Sequence, residues 1–135
     1  MRLFYARNIL GGVNTVKATF TSTNYHPWLA VYEYKGLSTT SPLDQTANAQ
    51  GNGTAPSTGA TPTTTSANEL IFAGFGFPSP TSASELAGSG YTLLQRDGTG
   101  AGATESMLVT STGSYTATFN LGASVNWSAV VATFK

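Results

Sequence analysis

Apolar and polar side chains alternate one for one in KATFTS and again in YTATFNL, the period of a strand with one face buried. In ELIFAGFGF and WSAVVATF the apolar residues run almost unbroken, as expected of strands covered on both faces. On this pattern strands are expected over 2–7, 13–22, 28–35, 44–51, 59–65, 69–76, 90–97, 103–111, 114–121 and 125–134. Gly11-Gly12, the run 24–27, Asp97-Gly98 and Gly113-Ser114 supply turn chemistry between them. Only SASELAG, 82–88, has the spacing of a helix cap, Ser82 with Glu85 three residues on, and predicts a short helical turn. The Thr- and Gly-rich stretch 36–68 reads as strands with one solvated face or as loops crossing between sheets. Many short strands in 135 residues predict a single all-β domain over 1–135, a two-sheet antiparallel β-sandwich of jelly-roll or immunoglobulin-like type.

The ends of the chain echo each other. ATF at 18–20 and at 117–119 are each followed eight residues later by a tryptophan, Trp28 in WLAVYEY and Trp127 in WSAVVATF. This predicts two similarly built hairpins, each with a tryptophan-led return strand.

Composition narrows the function classes. Charged residues make up 9% of the chain and the formal net charge is zero, so no electrostatic grip on nucleic acid or on an anionic membrane is expected. The polar surface must come from Thr, Ser, Asn and Gly. There is no cysteine, hence no disulfide and no thiolate metal site. No apolar run approaches the length of a membrane-spanning helix. MRLFYARNILGG lacks the apolar region of a signal peptide, so a secreted protein would have its targeting segment outside this chain.

Four stretches resemble a known kind of module: FYARNILGGVNTVKATF, VYEYKGLSTTSPLD, TTTSANELIFAG and the closing WSAVVATFK. They are similar to a repeated β-sandwich module of large secreted soil-bacterial surface proteins, over about residue 3 to 135. The resemblance implies a sandwich fold and a secreted or cell-surface location, and brings no catalytic residues with it. Such modules carry further strands before the FYARN-like segment, which implies missing first strands here. An incomplete sheet edge exposes unpaired backbone groups, so a homodimer or strand exchange covering it is expected.

The candidate chemistry starts from AVYEYKG. Leu29, Val31, Glu33 and Lys35 share one strand face, and Ala30, Tyr32 and Tyr34 the other. Glu33 is either a structural carboxylate at a sheet crossing or a catalytic acid with a raised pKa. Its partner in the second case is Glu105, which shares a face with Met107 and Val109. Two inward carboxylates on a jelly roll are what a glycoside hydrolase uses, about 5–5.5 Å apart for retention and about 6.5–9.5 Å for inversion. For binding, Trp28 with Tyr25 and His26 in NYHPW could stack on sugar rings, or Trp28 could cap the core. A lone histidine gives no multi-histidine metal site. Asp44 or Asp97 could lend a carboxylate to calcium, although Asp97 is accounted for by its Asp-Gly turn, and no cofactor is implied. The leading expectation is a non-catalytic extracellular module for glycan binding or adhesion, with a polysaccharide or cell-surface glycan as partner. The alternatives are a small glycosidase using Glu33 and Glu105, and a spacer without ligand.

Overall fold

The computed structural model describes residues 1–24, 27–78, 84–98 and 100–135. Among them there are eight strands and no helix: β1 (Leu43–Gly53), β2 (Ser57–Ala60), β3 (Glu69–Gly76), β4 (Glu85–Ala87), β5 (Thr92–Arg96), β6 (Gly102–Val109), β7 (Thr116–Leu121) and β8 (Val125–Phe134). Five form a sheet in the order β1-β8-β3-β6-β5 and three form a second in the order β2-β7-β4, with every pairing antiparallel. The protein is thus all-β, with two sheets packed as in a sandwich.

ELIFAGFG becomes β3, the centre of the larger sheet, and its unbroken apolar run follows from that place. Ile71, Ala73 and Phe75 turn inward to the small sheet, where they join Ala117, Phe119 and Leu121 of β7 and Ala129 and Val131 of β8. The Phe75 and Phe119 rings, 4.4 Å apart, bridge the layers. Leu70 and Phe72 turn outward and cluster with Ala132 and Phe134 of β8. The five-stranded sheet is therefore apolar on both faces, and its outer face needs a cover.

The described residues before β1 form no strand, and part of them supplies that cover: Leu3, Tyr5, Tyr32, Tyr34 and Leu37 pack on the outer face. The strands expected over 2–7, 13–22 and 28–35 are corrected to an extended strap lying on the outer face. Period-2 placement survives in part of it. Tyr32 and Tyr34 both pack on Phe72, at ring distances of 5.2 and 6.3 Å, while Leu29, Val31 and Glu33 face solvent. What is missing is a backbone ladder: a segment that crosses a sheet face meets side chains, not the unpaired N–H and C=O groups of an edge. Glycines make the fit possible. A methyl group on Gly74 would meet the end of the Met1 side chain, and one on Gly102 would meet the Phe75 carbonyl oxygen of β3 first and the Trp28 indole next, at 3.3 Å.

Two further expectations change, and that for the stretch 36–68 is met. SASELAG does not begin a helix: Ser82 lies outside the described residues, and Glu85–Ala87 is β4, paired to β7. The Thr-rich stretch 36–68 contains β1 and β2, the first paired along its length with β8. The tryptophan echo is not structural, since Trp127 belongs to β8 whereas Trp28 belongs to the strap.

Candidate functional site

An open crevice runs between the strap and the outer face of the large sheet, lined by Trp28, Tyr32, Thr104, Gln50, Asn126 and Trp127 among others. Tyr32 is its best-anchored aromatic. Its hydroxyl donates to Gln95 Oε1 at 3.2 Å and shares a hydrogen bond with the Thr104 hydroxyl. Thr104 stands on β6 facing outward, and Gln95 on the adjacent β5. Trp28 is half-buried, leaving part of the indole open to the crevice. Tyr25 and His26 lie outside the described residues. The lining offers aromatic faces with amide and hydroxyl groups, which suits uncharged, hydroxyl-rich ligands.

The two candidate catalytic carboxylates are not brought together. Glu33 is exposed between Tyr32 and Tyr34, both seated on the outward-facing Phe72. Glu105 is opposite Ala73 on the inner face and is fully buried. The large sheet stands between them, so they cannot flank one glycosidic bond. The sheet-crossing role considered for Glu33 belongs instead to Glu105. Its Oε2 accepts the Gly88 N–H at 2.8 Å, tying β6 to the turn after β4, and its Oε1 has no partner. Burial, only partly offset by that bond, pushes Glu105 up to about 7. Tyr91 nearby is pushed up to about 12, chiefly by burial and then by the negative charge of Glu105.

Two more inner glutamates escaped the sequence reading. Glu85 on β4 is buried with Oε1 unpartnered, and burial raises it more than nearby Arg96 lowers it. Glu69 opens β3 at the end of the sandwich and is buried with Oε2 unpartnered. It belongs to a cluster. Asp44 Oδ1 accepts from Lys135 Nζ at 3.1 Å and from the Thr65 hydroxyl at 2.6 Å, while Thr65 N–H donates to Oδ2. Burial alone would raise Asp44, but these donors outweigh it and hold Asp44 well below the ordinary carboxylate range. Glu69 moves the other way, raised first by burial and then by its contact with Asp44. Asp44 is thus spent on an ion pair, and no cluster of three or more metal-ligating side chains occurs among the described residues.

The signal for these groups was present but unweighted: ELIFAG begins, and VVATFK ends, an apolar run with a charge. That pattern places a charged group where a strand leaves the core.

The architecture defines a two-sheet antiparallel β protein with an aromatic strap over its larger sheet. No protein family, curated protein or solved structure matches this chain.

Proposed function

We propose that the protein is a non-catalytic, extracellular β-sandwich module, of jelly-roll or immunoglobulin-like type, that binds glycan or serves in adhesion. The observation that carries the reading is the crevice beneath the strap, where Tyr32 is hydrogen-bonded to Thr104 and the lining also includes Trp28 and the neutral amides of Gln50 and Asn126. Aromatic faces stack on sugar rings, and amides and hydroxyls pair with their hydroxyls. The separation of Glu33 from Glu105 by the large sheet takes support from the glycosidase alternative. A second copy is the further partner: Val16, Phe20, Leu29 and Val31 expose apolar side chains along the strap.

The test is co-sedimentation with a panel of insoluble polysaccharides. Wild-type protein pellets with at least one of them, and Trp28→Ala stays in solution while keeping a β-type far-ultraviolet dichroism spectrum. Equal retention of the variant on every polysaccharide would remove Trp28 from the reading, and no retention of wild type would leave the spacer alternative. Light scattering over a concentration series reads the homodimer, and a constant monomer mass refutes it.

A further inference from the structure

The cluster at the end of the sandwich contains the parts of a self-made amide cross-link. Lys135 directly follows β8 and Asp44 lies near the start of β1, the strand paired to β8. Between the pairs Leu43–Phe134 and Thr46–Ala132, β1 has one residue more than β8. That bulge re-aims the side chains there, and the Asp44 carboxyl meets Lys135 Nζ at 3.1 Å. The Asp44 side chain is 4% exposed and fixed by the Thr65 N–H and hydroxyl. Glu69, 2% exposed, lies near enough for Asp44 to raise its proton affinity, and keeps one oxygen without a partner. An ordinary ion pair needs neither a second buried carboxyl nor an orphan oxygen beside it.

We propose that Lys135 Nζ and Asp44 Cγ form an intramolecular isopeptide bond, with Glu69 as the acid-base catalyst, stapling the first strand to the last. The atoms balance without a co-reactant. The Lys135 ammonium, 31% exposed, passes a proton to Asp44 within the ion pair, leaving a neutral amine beside a neutral carboxylic acid that is itself 4% exposed. The nitrogen lone pair attacks Cγ, and the carbonyl electrons move to Oδ2, which the Thr65 N–H holds. Glu69 gives its proton to Oδ1 and takes one from the nitrogen. The Cγ–Oδ1 bond breaks, one water leaves, and the carbonyl reforms as an amide. Glu69 ends as it began. Positive and negative charge vanish together, which removes the cost of holding an ion pair partly out of water. The chain has no cysteine, so no disulfide can staple these strands. A bond between residues 91 apart in sequence closes most of the chain into a loop.

Intact-mass spectrometry of the purified folded chain is the experiment. The proposal expects a mass one water below that of the sequence, and a tryptic peptide in which the Asp44 segment is joined to Lys135. Lys135→Arg keeps the ion pair but returns the full mass. Glu69→Gln returns the full mass with the β-type dichroism spectrum retained. A wild-type mass equal to the sequence mass after long incubation at mildly alkaline pH overturns the proposal. So does a water deficit that persists in Asp44→Ala, since the loss would then lie elsewhere. The wild-type measurement is decisive even if a variant fails to fold.

Discussion

Replacing Glu105 by glutamine is expected to stabilise the protein in alkaline buffer and to change it little in acid. The carboxyl is fully buried, takes one hydrogen bond from Gly88, and has an orphan oxygen. Burial lifts it from an ordinary 4.5 to about 7, so the folded state binds its proton more tightly than the unfolded chain does. The resulting stabilisation is complete below about pH 4.5 and is lost as pH rises through about 7. At about 1.4 kcal/mol per pH unit, the shift corresponds to about 3 kcal/mol between acid and alkaline limits. For a chain of 135 residues that is on the order of 10 °C in Tm. Glutamine matches the neutral acid in size and still accepts the Gly88 bond, but it cannot ionise. Urea unfolding followed by tryptophan fluorescence, for wild type and Glu105→Gln at a series of pH values, measures the effect. The difference between the two isolates Glu105 from Glu69 and Glu85, which are also raised, and from Asp44, which is lowered. A difference flat across pH, or one in which wild type gains on the variant as pH rises, refutes the reasoning.

Gly88→Ala tests the same tie from the other side. An added methyl would stand 2.2 Å from the Thr118 carbonyl oxygen, so the turn must shift and loosen the Gly88–Glu105 bond, at about 3 kcal/mol or more in thermal unfolding. Phe72→Ala removes the ring on which Tyr32 and Tyr34 sit, and is expected to cost about 3 kcal/mol and speed proteolysis within residues 1–41. Tyr32→Phe, which loses only the bonds to Gln95 and Thr104, should cost about 1 kcal/mol. Isoelectric focusing of the folded protein should give a value above the 6.5 expected from the sequence, because buried glutamates are counted as charged in the formal sum but keep their protons longer.

Most of the paired strands were legible, β7 from its period-2 alternation and β3 and β8 from nearly unbroken apolar runs. The residues of β3, β6, β7 and β8 match the expected stretches closely, and the doubly apolar ELIFAGFGF takes the central place its pattern requires. The strap was not legible. WLAVYEYKG places Tyr32 and Tyr34 inward as a strand would, but alternation reports which side chains are covered and says nothing about whether a backbone ladder exists. Strand β4 was hidden because ELA is too short for any period to register, and its cap-like Ser82 and Glu85 spacing suggested a helix. At the site, Glu105 was found as an inward carboxylate because its own strand alternates. Its supposed partner was misassigned because one sequence cannot place two strands on the same side of a sheet. Asp44, Glu69 and Lys135 stand at three separated positions, and only the pairing of β1 with β8 and of β8 with β3 brings them together.

The zero net charge conceals a separation of signs. Of the six acids, Glu69, Glu85 and Glu105 lie in the interior and the Asp44 side chain is 4% exposed, whereas Arg2, Arg7, Lys17 and Lys35 are exposed on the strap. Buried carboxylates are tolerated only when neutral or paired. The apolar interior therefore also carries carboxyls whose proton affinity burial raises, and stability is tied to pH through them. The same arrangement leaves the strap cationic over a surface otherwise built from hydroxyls and amides. A glycan on that surface would meet stacking and neutral hydrogen bonds beneath the strap and positive charge along it. Acidic polysaccharides should then be held more tightly than neutral ones at low salt, and the margin should shrink as salt screens the exposed charges.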